Sequence, residues 1–143
     1  MTGKTKLNIL LVDDDIDDRF LFKSALSRAA IEVVFNDAED CNQALEKLKV
    51  MKDNLPDVIF MDLNMPDIDG FECIKTIKSN AIWASVPIIV YSTSGSQSHI
   101  DEAGRLGAIA YLKKPNVFEE LCSKIENILN IDFVSQTKYL GLL

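Results

Sequence analysis

Apolar and polar positions alternate between two periods along this chain. Leu7-Asn8-Ile9-Leu10-Leu11-Val12, Asp57-Val58-Ile59-Phe60-Met61 and Pro87-Ile88-Ile89-Val90-Tyr91 are nearly continuous apolar runs of strand length, the pattern of strands buried on both faces. Glu32-Val33-Val34-Phe35 and Ile109-Ala110-Tyr111-Leu112 are weaker runs and suit positions nearer an edge. Between them the period lengthens to that of a helix. Cys41, Ala44, Leu45 and Leu48 recur at i, i+3, i+4 and i+7, as do Phe118, Leu121, Cys122 and Ile125, which Ile128 and Leu129 extend. Ile16, Phe20, Leu21, Ala25 and Leu26 mark a helix over 16–29, Cys73, Ile74 and Ile77 one over 71–79, and a fifth spans 97–106. Ser94 with Gln97 predicts a capping box that opens this helix, the fourth in chain order, and Gly107 is placed to end it.

Five strand–helix alternations predict a parallel sheet covered on both faces, an α/β doubly wound fold in one domain. Such a sheet binds ligands outside the carboxyl ends of its strands. The polar residues at those ends are Asp13, Asp14 and Asp15, then Asp62, then Ser92 and Thr93, then Lys113 and Lys114. Acids, a hydroxyl and a lysine are thereby delivered to one rim.

Converging carboxylates without His or Cys make a hard oxygen site, and Mg²⁺ is its natural occupant. Without a cation, Asp13, Asp14 and Asp62 would repel one another and at least one would titrate high. A lysine facing the same point suits a phosphate group, so the set fits phosphoryl transfer, in which Asp62, at the tip of a central strand, is best placed to act as nucleophile. The ordinary alternatives are helix caps for Asp14 and Asp62, a solvated side chain for Lys114, and a static sheet aromatic for Tyr111. Capping does not explain why lysine and hydroxyl share the rim. Strand alternation separates Ser92 from Thr93, and Ser92 is the favoured hydroxyl; Lys113 is the favoured solvated lysine.

Charge narrows the field further. Residues 1–70 carry fifteen acids against eight bases, whereas 71–143 carry seven of each, so the whole excess of −7 lies in the first half. This balance argues against a nucleic-acid or anionic-membrane surface. No apolar run reaches the length of a membrane span, and no secretory leader is visible before the acidic cluster. Cys41, Cys73 and Cys122 fall among helical apolar positions and read as small, reduced core residues, consistent with a cytoplasmic location.

Val12-Asp13-Asp14, Met61-Asp62-Leu63-Asn64-Met65-Pro66-Asp67-Ile68-Asp69-Gly70, Tyr91-Ser92-Thr93 and Tyr111-Leu112-Lys113-Lys114-Pro115 together resemble the receiver domain of bacterial two-component response regulators, over roughly residues 6–130. The resemblance implies a flavodoxin-like five-stranded sheet of order 2-1-3-4-5 with five helices, as in single-domain, CheY-like receivers. It implies that Asp62 accepts a phosphoryl group from a histidine kinase or a histidine phosphotransfer protein. Asp14 and Asp62 would bind Mg²⁺ directly, with the backbone carbonyl of Asn64, and Asp13 would assist through water. Lys114 would pair with the phosphoryl oxygens, and the Lys114–Pro115 bond would be cis. Ser92 would hydrogen-bond the phosphoryl group while Tyr111 changes rotamer, altering how a downstream protein target binds, with the fourth helix, fifth strand and fifth helix as the output surface. Ser stands at 92 where Thr is commoner, which keeps the hydroxyl. The resemblance gives Asp15 no role.

Three motifs lead elsewhere and fail. Asp62-x-Asn64 begins like an EF-hand loop, but Pro66 and Asp67 occupy its fifth and sixth positions. Gly3-Lys4-Thr5 resembles the end of a P-loop without its upstream glycine and strand. His99, the only histidine, reads as solvated at a polar helix start. Residues 131–143 form a C-terminal extension too apolar for a disordered end: either an arm packing on a second subunit, which would make a homodimer, or a tail that folds on its own body or frays. Two rivals to a stoichiometric phosphoacceptor remain, a receiver-like binding module acting without phosphorylation and a small aspartyl-phosphate phosphohydrolase.

Overall fold

The computed structural model describes residues 6–143, so the Gly3-Lys4-Thr5 motif lies outside the described residues. The chain runs β1 (Lys6–Val12), α1 (Ile16–Leu26), β2 (Glu32–Ala38), α2 (Cys41–Met51), β3 (Val58–Met61), α3 (Gly70–Ser79), β4 (Ile88–Ser92), α4 (Gln97–Arg105), β5 (Ala110–Lys113) and α5 (Phe118–Leu129). The five strands form one sheet of order β2-β1-β3-β4-β5, every neighbouring pair parallel. This is the flavodoxin-like arrangement that the family resemblance implies. Among the described residues no helix is long and apolar enough to cross a membrane.

The continuous apolar runs have their expected cause. Alternate residues point to opposite faces, so each strand fills two cores. Leu7, Ile9, Leu11, Val58, Phe60 and Ile89 pack beneath α1 and α5. Leu10, Val12, Ile59, Met61, Ile88 and Val90 pack beneath α2, α3 and α4. Burying one such side chain contributes on the order of 2 kcal/mol, which makes the register hard to slip.

Several local expectations are corrected. In α1 the buried residues are Phe22, Ala25 and Leu26, whereas Ile16 and Phe20 are 70% and 69% exposed. The i, i+3, i+4 set that meets the sheet begins at Phe22, whose ring packs edge-on against Phe60 and Tyr91; Ile16 and Phe20 lie on the outer side. Strand β2 continues past Phe35 to Ala38, because its whole length pairs with β1. The cap of α4 is Ser96, which accepts from the His99 amide at 3.3 Å; the expected Ser94–Gln97 box does not form. Ser94 Oγ instead lies 2.7 Å from His99 Nδ1, and the His99 ring meets Phe71 edge-on. His99 is therefore half-buried and partnered rather than solvated.

The cysteines differ most from expectation. Cys41 opens α2, Cys73 lies in the first turn of α3, and the two form a disulfide with Cα atoms 5.8 Å apart. The strands that precede the two helices, β2 and β3, flank β1 in the sheet, and both helix starts enter the same buried layer, an adjacency that a sequence separation of 32 hides. Cys122 is a free thiol.

Beyond α5 the chain turns back over its own body. Phe133 is buried in the α1/α5 core. Residues 140–143 then run along the outer edge of β5, with a parallel bridge between Tyr111 and Leu142.

Candidate functional site

Three side chains of the site share one device. The amide of Asp13 donates to Ala38 O of β2 at 3.0 Å, that of Asp62 to Val12 O of β1 at 2.9 Å, and that of Lys114 to Ser92 O of β4 at 2.7 Å. Each residue is thus the first beyond its strand, held by a ladder bond to the neighbouring one. Parallel strands ending together deliver these side chains to one rim, which is why the site forms where strand counting placed it.

Asp13 and Asp62 are buried and Asp14 is exposed at the rim. One carboxylate oxygen from each lies within 4.8 Å of the others, close enough to share a metal ion. Lys114 Nζ stands 2.8 Å from Asp13, 2.7 Å from Asp18 and 3.7 Å from Asp62, so one cation serves three carboxylates. Asp13 Oδ2 has Lys114 Nζ as its partner, at 2.8 Å. The Asp62 carboxyl is pushed up to about 7, chiefly by burial and further by the charges of Asp13 and Asp14, with Lys114 and the Asn64 amide working against them. Burial also raises Asp13, against hydrogen bonds from Lys114 and the Asp15 amide. For Lys114 burial works in the lowering direction, but hydrogen bonds to Asp13 and Asp18 outweigh it and hold the ammonium above its usual range. Three acids around one lysine leave the cluster short of positive charge, and its oxygen donors suit a hard cation.

The loop after β3 holds Asp62 in place. Gly70 packs against it so tightly that a Cβ would lie 2.1 Å from Asp62 O, and its amide donates to Leu63 O. Asn64 is exposed on this loop and Asp67 adopts a left-handed φ of 66°. Across the rim Ser92 is fully buried, and its Oγ accepts from the Ser94 amide at 3.2 Å. Thr93 and Lys113 are exposed. Tyr111 is fully buried and donates its hydroxyl to Ser94 O at 2.7 Å, so it closes on the loop that follows Ser92. The Lys114–Pro115 bond is trans, contrary to the implied cis form.

Two roles were not legible in the sequence. Asp15 caps α1, accepting from the amides of Asp17 and Asp18, and its own amide donates to Asp13 Oδ1. Asp18 is a partner of Lys114 rather than merely a favourable charge at a helix start; it stands one helical turn beyond Asp14, on the side that faces the rim. Arg19 adds a further tie, donating to Asp13 O at 2.7 Å and to Asp37 at 3.1 Å.

Comparison with known proteins agrees with this geometry. The model of the response regulator receiver domain matches residues 9–126. The chain is 37% identical over 122 residues to the chemotaxis protein CheY of Bacillus subtilis, covering 85% of this chain and 97% of that protein. It resembles the crystal structure of Vibrio cholerae chemotaxis protein CheY4 at a TM-score of 0.72 and 31% identity, covering 86% of this chain and 98% of that one. It also resembles the response regulator RPA3017 in red light signaling of R. palustris, at a TM-score of 0.81 and 25% identity, with 92% and 96% covered. Strand order, acidic rim and sequence likeness agree, and the chain belongs to the receiver domain family of response regulators.

Proposed function

We propose that this protein is a cytoplasmic phosphoacceptor in a two-component phosphorelay, with residues 1–130 as the receiver and 131–143 as an extension. The observation that carries the reading is the convergence of Asp13, Asp18 and Asp62 on Lys114 Nζ at one strand-end rim. A buried carboxylate beside a lysine is suited to receiving an electrophile that brings negative charge.

In the reaction, an Asp62 oxygen attacks the phosphorus of a phosphohistidine on a histidine kinase or phosphotransfer protein. The O–P bond forms as the N–P bond breaks, and the electron pair leaves on the imidazole nitrogen. Asp62 must be ionised to attack, so whatever lowers it from about 7 promotes the step. Mg²⁺, held by Asp13, Asp14, Asp62 and the Asn64 carbonyl, would supply that stabilisation and neutralise the phosphoryl oxygens. The cluster of Asp13, Asp14 and Asp62, with one carboxylate oxygen of each within 4.8 Å of the others, fits such an ion. Lys114 exchanges part of its contact with Asp18 for a phosphoryl oxygen. Ser92, whose oxygen already accepts from Ser94, has its hydrogen to donate to another. Because Tyr111 is bonded to Ser94 O, a shift of Ser92 and its loop is felt at Tyr111, which makes the pair a two-state element for downstream partner binding.

Asp62→Ala is expected to abolish Mg²⁺-dependent labelling by acetyl phosphate or phosphoramidate, measured as one phosphoryl group per chain in the parent protein. Labelling of that variant at the same stoichiometry would defeat the assignment. Multiple-turnover phosphate release from small phosphomonoesters would favour the phosphohydrolase instead.

A further inference from the structure

Lys114 has two close partners at the rim, and they are not equivalent. Its Nζ lies 2.8 Å from Asp13 Oδ2 and 2.7 Å from Asp18 Oδ2, whereas Asp62 Oδ2 stands at 3.7 Å. The ammonium is thus drawn to the α1 side of the rim, away from Asp62. The Asp13 side chain is fully buried, so water cannot take the lysine's place there. The Asp18 side chain is 31% exposed, and water replaces the ammonium on it at small cost. The contact that Lys114 can give up is therefore the one to Asp18.

Asp18 is held in this position by its own helix start. The Asp15 amide donates to Asp13 Oδ1 at 2.9 Å, and the Asp15 carboxylate accepts from the Asp18 amide at 3.2 Å. Lys114 then donates to the Asp18 carboxylate and reaches back to Asp13. The contacts from Asp13 through Asp15, Asp18 and Lys114 close into a ring, which fixes Asp18 relative to the buried acid. Tyr91 covers a further side of the ammonium, its ring centre 5.3 Å from Nζ. Asp17 carries the same charge in the same helical turn, but it is exposed and Lys114 pairs with Asp13, Asp18 and Asp62 instead. We propose that Asp18 is a positioning residue of the phosphoacceptor site. It holds Lys114 back from Asp62 and competes with the phosphoryl oxygens for the ammonium, which loosens the site's hold on the phosphoryl group. Its effect passes through Lys114, and it makes no contact with the phosphoryl group itself. This rests on the phosphoacceptor reading and deepens it.

The test uses the full chain with saturating Mg²⁺ and titrates beryllofluoride, a phosphoryl mimic, by calorimetry. Asp18→Asn is expected to bind beryllofluoride about five-fold more tightly than the parent chain. Asp18→Glu, which restores the charge, should return the affinity to within about two-fold of the parent, and Asp17→Asn should stay within the same limit. Before beryllofluoride is added, the Lys114 ammonium signal in ¹⁵N NMR should move in Asp18→Asn and stay in place in Asp17→Asn. Unchanged affinity in Asp18→Asn, or an equal gain in Asp17→Asn, would overturn the proposal. So would a gain with the Lys114 signal unmoved, which would make Asp18 a repelling charge and not a hold on the lysine. The parent chain tests the phosphoacceptor reading separately. A parent that neither binds beryllofluoride nor takes label from acetyl phosphate removes that reading and the proposal with it. A parent that does both, with Asp18→Asn equal to it, removes the proposal alone.

Discussion

Asp62 is a carboxylate with too little water around it to keep its charge cheaply. Burial raises it to about 7, and the neighbouring acids push the same way. In the unfolded chain it titrates near 3.8, so between that value and about 7 the folded state binds more protons than the unfolded one. The sign follows: Asp62's contribution to stability is complete below the lower value and is lost as pH rises through about 7. In the presence of a chelator, stability should therefore fall as pH is raised from 5 to 8. Asp62→Asn should remove most of that fall and stabilise the protein at pH 8 by on the order of 2 kcal/mol, allowing for residual solvation. Urea denaturation of both proteins at the two pH values checks this; a parent curve independent of pH would count against it. The residue scale is also where the sequence was least explicit. That Asp13, Asp14, Asp62 and Lys114 meet could be read, because strand ends determine it. That Asp15 caps and Asp18 pairs with Lys114 could not, since five acids in one run look alike until the helix start is placed.

Between residue and molecule, the loop from β3 to α3 decides how firmly the site is held. Gly70 touches the backbone of Asp62 and Leu63, and the Asp69 side chain caps α3 by accepting from Glu72 N–H at 2.9 Å. The loop therefore closes on its own first residue. Gly70→Ala should cost roughly 1–3 kcal/mol in urea denaturation, because the contact is with backbone that cannot rotate away. It should also weaken Mg²⁺ binding in a calorimetric titration, since Asp62 and the Asn64 carbonyl lie on the displaced segment. Unaltered Mg²⁺ affinity would separate the loop from the metal site. Element by element, the strands were legible because doubly buried strands leave uninterrupted apolar runs. The face of α1 was not: Ile16 and Phe20 fit a helical period, yet they point away from the sheet while Phe22 packs on it. A period gives spacing, and only contact gives direction.

Across the whole molecule, the acids and the lysine come from different halves of the chain. The excess charge of −7 arises before residue 71, and Lys114 must cross from the balanced half, which the β4–β5 pairing brings about. A second long-range tie lies in the layer of α2, α3 and α4. The Cys41–Cys73 disulfide joins the first turns of α2 and α3 and so encloses β3 and the whole loop bearing Asp62 and Asn64. Closing a loop of 32 positions removes conformational freedom from the unfolded chain worth about 3–4 kcal/mol in the chain-entropy account. Reductant should lower the unfolding free energy by an amount of that order, and Cys41→Ser should lower it equally while making it insensitive to reductant. Cys122→Ser should leave the response to reductant intact, because that thiol is unpaired. Identical denaturation curves with and without reductant would mean that the two sulfurs pack without bonding. Since the enclosed loop carries the Asp62 site, labelling by acetyl phosphate should be compared in the two redox states. A rate that changes on reduction would make the tie part of the site's control, and an unchanged rate would confine it to stability.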